Sequence, residues 1–222
     1  MFRPSYLREG PGIDKNAPPK TGAARAADIF VREFWQIVKV NFLFIVCALP
    51  AVTFGAARAA MARCTVNMAR DIPNDVWPDF RRAFRQDFAR NTGFGLVELA
   101  LLLLGFALLR MAAVLAAFLP AVLGMLLLCV TTAFFQNFWP LAAAMDLPAG
   151  ALIKNAWLFC LLRPGCTAIS LAVNAVFVLP CLLFFPLSLP VCLLLPFGLS
   201  GFVSSLLGWS GCKRYLIRSN PS

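Results

Sequence analysis

PGCTAISLAVNAVFVLPCLLFFPLSLPVCLLLPFGLSGFVSSLLGWSGC, residues 164–212, contains no Asp, Glu, Lys or Arg and is dominated by Leu, Phe, Val, Ala and Pro. At about 1.5 Å per helical residue it is long enough to cross a bilayer core of roughly 30 Å twice. Pro186 and Pro190, on either side of Leu187, Ser188 and Leu189, supply the break where a hairpin would turn. A stretch of this kind makes the chain a multi-span membrane protein.

Composition agrees. The chain has 222 residues, 60% of them hydrophobic and 14% charged, where a soluble domain carries about a quarter charged residues. The length allows about five or six spans in one domain and leaves no room for a separate soluble one. The net charge of +10 resides in basic residues that flank the apolar runs and form no separate basic module. It therefore reads as the loop bias that orients membrane proteins, and no nucleic acid is expected as a partner. Of the eight cysteines, Cys47, Cys129, Cys166, Cys181 and Cys192 lie inside apolar runs, and no pair has C-x-x-C spacing. With no histidine in the chain, no metal site, cofactor site or catalytic triad is expected.

Residues 1–27 carry Gly10, Pro11, Gly12, Pro18 and Pro19 among mixed charges and read as an extended cytoplasmic segment without the features of a signal peptide. Residues 28–212 form the membrane domain, and 213–222 a short basic tail. A first span runs from Val40 to Pro50; Gly55 to Arg70 then mixes small residues with Arg58 and Arg63 and reads equally as a crossing or a re-entrant arm. Phe80, Phe84 and Phe88 recur every four residues between Arg81, Arg82, Arg85 and Arg90, with Trp77 opening the stripe, which predicts one amphipathic helix. Two placements satisfy that pattern: the plane of the interface, or the protein's own cytoplasmic face.

Gly93 to Pro140 holds only Glu98 and Arg110 and allows two crossings with a turn near 112–119. Glu98 lies about two turns into its helix and needs a partner; Arg63 is the expected one, making an intramembrane ion pair. Ala149 to Leu162 reads as a second interfacial helix. Trp77, Phe80, Phe84, Arg85 and Phe88, with Asp146, Lys154 and Trp157, make up a candidate cytoplasmic interaction face.

Six crossings put both termini on one side with seventeen of the twenty basic residues, leaving only Arg58, Arg63 and Arg110 elsewhere. Five crossings nearly abolish that bias; four, with 40–70 re-entrant, preserve it. Trp35, Trp77, Trp139, Trp157 and Trp209 all fall at the inner boundary in the six-span arrangement. The expected fold is thus all-α and polytopic, with about six transmembrane helices, four or five being open alternatives, and short interfacial helices on the cytoplasmic side.

Phe34, Trp35 and Asn41, the turn Leu49, Pro50, Thr53, Gly55, then Asp79, Phe80, Arg82, Phe84 and Phe88, and later Phe138, Pro140, Leu141, Leu152, Lys154, Asn155 and Ala156 resemble the YesL-like family of bacterial integral membrane proteins. The likeness covers roughly residues 28–170, and the Gly10-Pro11-Gly12 leader is similar to that of members from Gram-positive gut bacteria. Arg58 and Arg63 depart from the small or aromatic residues of the family there. The resemblance implies a plasma-membrane protein of unknown biochemical activity associated with carbohydrate-uptake ABC transport systems. Ala143, Ala144 and Asp146, with Leu162 and Pro164 further on, also resemble the coupling loop of ABC permeases, although Leu147 stands where that loop has glycine. The expectation is a non-enzymatic accessory protein whose partners are the lipid bilayer and ABC transporter subunits or further copies of itself. The alternative is a small transporter or pore acting as an oligomer.

Overall fold

Small side chains decide which helices of this protein sit inside. The structure, a computed structural model, describes residues 22–184, 187 and 194–213 and is all-α over them, with no strand among the described residues. The chain divides into two units, Met1–Arg32 and Glu33–Ser222. Helix α1 (Gly22–Ala48) begins in the first unit and continues into the second. A 3-10 turn (Ala51–Thr53) leads to α2 (Phe54–Ala69), then come α3 (Val76–Arg85), α4 (Phe88–Leu115), α5 (Phe118–Ala144), α6 (Ala149–Leu162), α7 (Pro164–Leu183) and α8 (Pro196–Cys212). Pro186, Pro190 and the turn expected between them, Cys181 and Cys192 as packing side chains, and the segments 1–21 and 214–222 lie outside the described residues.

Helix α2 is rich in alanine and buries Gly55, Ala56, Ala57, Ala60, Met61, Ala62, Cys64, Thr65, Val66, Met68 and Ala69, with α3, α4, α5 and α8 packed around it. Helix α8 is its counterpart, a short Gly- and Ser-rich helix that buries most of its length. Backbones this bare of side chain approach closely, the usual basis of helix association in lipid, where apolar burial between helices brings little. At the crossing of α2 and α4, a Cβ on Gly95 would stand 2.1 Å from the Gly55 Cα, and one on Gly55 would stand 2.1 Å from the Asn91 carbonyl oxygen. Only hydrogen fits on either side.

Helices α4 and α5 have the opposite character. Both are long and apolar enough to cross a membrane, and only 17% of each apolar window is buried within the protein, so the outer faces suit lipid tails. A two-residue break, Ala116 (φ 48°) and Ala117, folds them into a hairpin within the stretch predicted for the turn. The helices α6 and α7 pass the same test only as a pair bent by 95°, so the described residues hold two candidate spans, or up to three if the bent pair is one. Among the described residues the exact count of six expected from charge is not confirmed: α2 has 16 residues and is enclosed by other helices, and α8 has 17 residues.

Two expected boundaries move. Gly22 to Ala27 is helical rather than extended, because Ala23, Ala24, Arg25, Ala26 and Ala27 are strong helix formers, in contrast to the Gly- and Pro-containing residues before them. The phenylalanine stripe is split between two helices: α3 ends at Arg85, Gln86 is extended, Asp87 takes φ 51°, and Phe88 opens α4. The rings nevertheless continue in space, Phe80 to Phe84 at 6.4 Å and Phe84 to Phe88 at 5.6 Å. On α3, Val76, Phe80 and Ala83 are buried and the helix packs on α2, so the protein itself covers its apolar side.

Candidate functional site

Glu98 lies ten residues into α4, about 15 Å along the axis, and is 4% exposed. Its Oε1 accepts from Arg58 Nη2 at 3.1 Å and its Oε2 accepts from Trp139 Nε1 at 2.8 Å. The carboxylate thus has one donor per oxygen and a cation for its charge, the arrangement a buried acid requires. An arginine of the second helix does supply the partner, but it is Arg58 and not Arg63. The two positions are five residues apart, about 140° around a helix. The Gly55–Gly95 crossing stands three residues before Arg58 on one helix and three before Glu98 on the other, which turns Arg58 toward the acid. Arg63 Nη1 donates instead to the Ala143 carbonyl in the last turn of α5, where a cation suits the helix dipole. Arg58 Nε is buried without a partner, and Arg58 also lines a cavity of about 10 Å³ with Met61, Trp139, Gly201, Ser204 and Ser205. That is room for about one water molecule.

The Glu98 contact also relocates Trp139. Expected at the membrane boundary, it is 2% exposed and stands in the core with Phe135, Phe138, Leu141, Leu152 and Phe159. A tryptophan belongs at the interface when its N–H needs water; here the carboxylate satisfies that N–H inside.

Several other polar groups of the helical interior are used in the same manner, whereas Thr92 Oγ1 and Trp209 Nε1 are buried without a partner. Thr65 and Ser205 hydroxyls meet at 2.7 Å between α2 and α8, and Ser204 donates to Gln136 Oε1 at 3.4 Å. Asn137 donates to the Ala133 carbonyl and Asn174 to the Ser170 carbonyl, each within its own helix. Arg163, at the bend between α6 and α7, donates to the Leu207 carbonyl and the Ser210 hydroxyl near the end of α8. The fully buried Asn41 of α1 accepts from the Gly198 N–H at 2.9 Å, satisfying one of the donors that the first turn of α8 leaves open. Replacing Asn41 with leucine is expected to cost about 1–3 kcal/mol, the penalty of an orphaned buried donor. Thermal unfolding in detergent checks it, and a midpoint equal to that of the unaltered protein would contradict the role.

The candidate interaction residues divide. Phe80 is in the core, Phe84 is half-buried, and Trp77, Arg85, Phe88, Asp146, Lys154 and Trp157 are exposed. Because α4 and α5 form a hairpin, the α3–α4 junction and the α5–α6 connection lie at the same end of the molecule. They share one polar cleft of about 40 Å³, in which Arg63, Gln86, Asp87 and Arg90 face Ala143 and Asp146. Lys154 and Trp157 are on the outer side of α6, whose inner face of Leu152, Ala156 and Phe159 packs into the core. Trp157 rests against Phe134 with ring centroids 5.2 Å apart. At the same level of sequence as the closing helix, Trp209 lies under Arg70 (4.7 Å) and Lys213 (5.5 Å). No group of three His, Cys, Asp or Glu side chains able to hold a metal occurs among the described residues.

Sequence reasoning placed the partner of Glu98 among the arginines of the second helix but favoured Arg63 over Arg58, and it did not find the Thr65–Ser205 or Asn41–Gly198 contacts. Nothing in the spacing of residues 140 or more apart could have paired them. No curated protein and no solved structure matches the chain. A family described as "Protein of unknown function, DUF624" matches residues 37–109, from within α1 to the last two turns of α4, and so takes in Asn41, both glycines of the tight crossing and the Arg58–Glu98 pair.

Proposed function

We propose that this chain is a non-enzymatic accessory protein of the bacterial plasma membrane that assembles with a carbohydrate-uptake transport system of the ABC type. One observation carries the non-enzymatic part. The buried Glu98, Trp139, Thr65, Ser205, Gln136 and Asn41 side chains are bonded to one another or to the helix backbones, while the exposed chemistry of the site gathers at the end shared by the α3–α4 junction and the α5–α6 connection. The Glu98 carboxylate is held by an arginine and an indole and is 4% exposed, which keeps it from a substrate, and Gln136, Asn137 and Asn174, the side chains a solute path would use, are hydrogen-bonded within the bundle. The same fact weighs against the alternative of a small transporter or pore. The choice of an ABC system rests on the resemblance to the YesL-like family. By the positive-inside rule the basic connections at this end face the cytoplasm, where such a system has its soluble subunits.

In this reading Phe84, Phe88, Asp146, Lys154 and Trp157 form the docking face, with aromatic anchors beside charge, the composition of interface hot spots. Changing Phe84 and Trp157 together to alanine is expected to lower the yield of co-purifying transporter subunits from native membranes more than about tenfold, since two anchors of this kind are worth about 2 kcal/mol each. Subunits retained at the unaltered level by a protein that still elutes as a folded species would contradict the assignment.

A further inference from the structure

Helix α3 turns its apolar side chains inward and its arginines outward. Val76, Phe80 and Ala83 are buried, whereas Trp77, Arg81 and Arg85, at intervals of four, form one exposed stripe with Arg82 beside it. Trp77 is 68% exposed. Arg81, Arg82 and Arg85 have no ion-pair or hydrogen-bond partner among the described residues. The nearby carboxylates are committed elsewhere: Asp79 accepts from the Asp75 N–H, and Asp87 holds Arg90 at 2.7 Å. Three neighbouring cations without a counter-charge among the described residues call for an anionic partner.

The position of the stripe selects which one. Phe88 opens α4 with two residues between it and the end of α3, and the apolar run of that span, interrupted by the buried Glu98, begins near Phe94, about 9 Å further along the axis. A bilayer of 40–45 Å overall with a core of about 30 Å leaves a headgroup layer of roughly 5–8 Å on each side. The arginines therefore stand at or just above lipid phosphates, with an exposed indole of the kind that anchors in that layer. We propose that Arg81, Arg82 and Arg85, flanked by Trp77, form a binding stripe for anionic phospholipid headgroups at the mouth of the α4 span. This site goes beyond the docking face: it uses the outer side of α3, and its ligand is the membrane itself.

The experiment uses the full chain, extracted from membranes and exchanged into nanodiscs containing equal amounts of phosphatidylglycerol and phosphatidylcholine. Lipid retained after release into mild detergent is counted by native mass spectrometry. The unaltered protein is expected to retain phosphatidylglycerol several-fold over phosphatidylcholine. A basic residue at an anionic surface is worth about a fivefold preference, so Arg81→Gln, Arg82→Gln and Arg85→Gln together should return the ratio to within about twofold of the input. The three corresponding lysine substitutions keep the charge and should keep the enrichment. Raising the salt should weaken the enrichment in the unaltered protein, because the stripe is exposed and screened, and this reading requires no variant to fold. Free inorganic phosphate should not displace the lipid. Equal enrichment in the unaltered and glutamine proteins, or enrichment that salt leaves unchanged, overturns the proposal. A glutamine variant that loses transporter subunits while keeping its lipid ratio also overturns it, and assigns the stripe to a protein partner.

Discussion

A single methyl group added at Gly55 is expected to cost more than about 3 kcal/mol, at or beyond the upper end of overpacking effects, and in practice to prevent recovery of folded protein. The reason is geometric. The added Cβ would stand 2.1 Å from the Asn91 carbonyl oxygen and 2.8 Å from the Gly95 Cα, both backbone atoms of α4. A side chain can rotate out of such a contact, but a helix backbone has to be displaced as a unit. Displacing α4 from α2 also separates Arg58 from Glu98, so the steric penalty brings an electrostatic one with it. Gly150 is the internal control, since nothing lies within 4 Å of a Cβ built there. Alanine at that position is expected to change stability by no more than about 0.5 kcal/mol. Size-exclusion profiles and thermal unfolding of the two variants in the same detergent check the pair; Gly55→Ala behaving like Gly150→Ala would contradict the crossing.

The second large effect concerns the ion pair. Removing either charge alone, by Glu98→Gln or Arg58→Gln, is expected to destabilise by about 3–5 kcal/mol, because the remaining partner is left buried and unpaired. Removing both should cost less than the sum of the two, the signature of a direct interaction in a double-mutant cycle. Arg63→Gln supplies the contrast. Its guanidinium donates to a helix-terminal carbonyl and not to Glu98, so its effect should add to that of Glu98→Gln without coupling. Coupling between Glu98 and Arg63, with strict additivity between Glu98 and Arg58, would contradict the observed pairing.

How far these features could be read from the sequence depends on the range of the interaction behind them. The membrane class was legible in the long charge-free and charge-poor runs of the chain, of which Gly93 to Pro140 supplies the two helices apolar enough to span while much of α8 in residues 164–212 is packed on other helices. The helix Ala149–Leu162 and the break near 116 were legible because proline, charge and apolar run length are local. The second helix was not. Hydropathy measures transfer to lipid, and the neighbours of α2 are other helices, which accept its alanines and its arginines on different terms. The placement of Trp139 failed for a related reason, since a pattern that ranks tryptophan by its preference for the interface does not anticipate an acid inside the bundle. The choice between Arg58 and Arg63 depended on helix rotation, which a close approach of two glycines forty residues apart decides. Of the candidate interaction face, the exposed positions were readable from amphipathic spacing. The inward turn of Phe80, by contrast, follows from the packing of α3 on α2.

The central claim is that Arg58, Glu98 and Trp139 hold the helices together and take no part in function beyond that. Arg58→Met, Glu98→Leu and Trp139→Phe in one protein remove every polar atom of the cluster at nearly constant volume, a kind of replacement that is often neutral or stabilising. Purification of this triple variant from native membranes, with transporter subunits quantified in the same sample, is the most direct test. The account predicts a folded protein that retains the subunits at the unaltered level. A folded triple variant that has lost them would show that the buried pair does more than hold the fold.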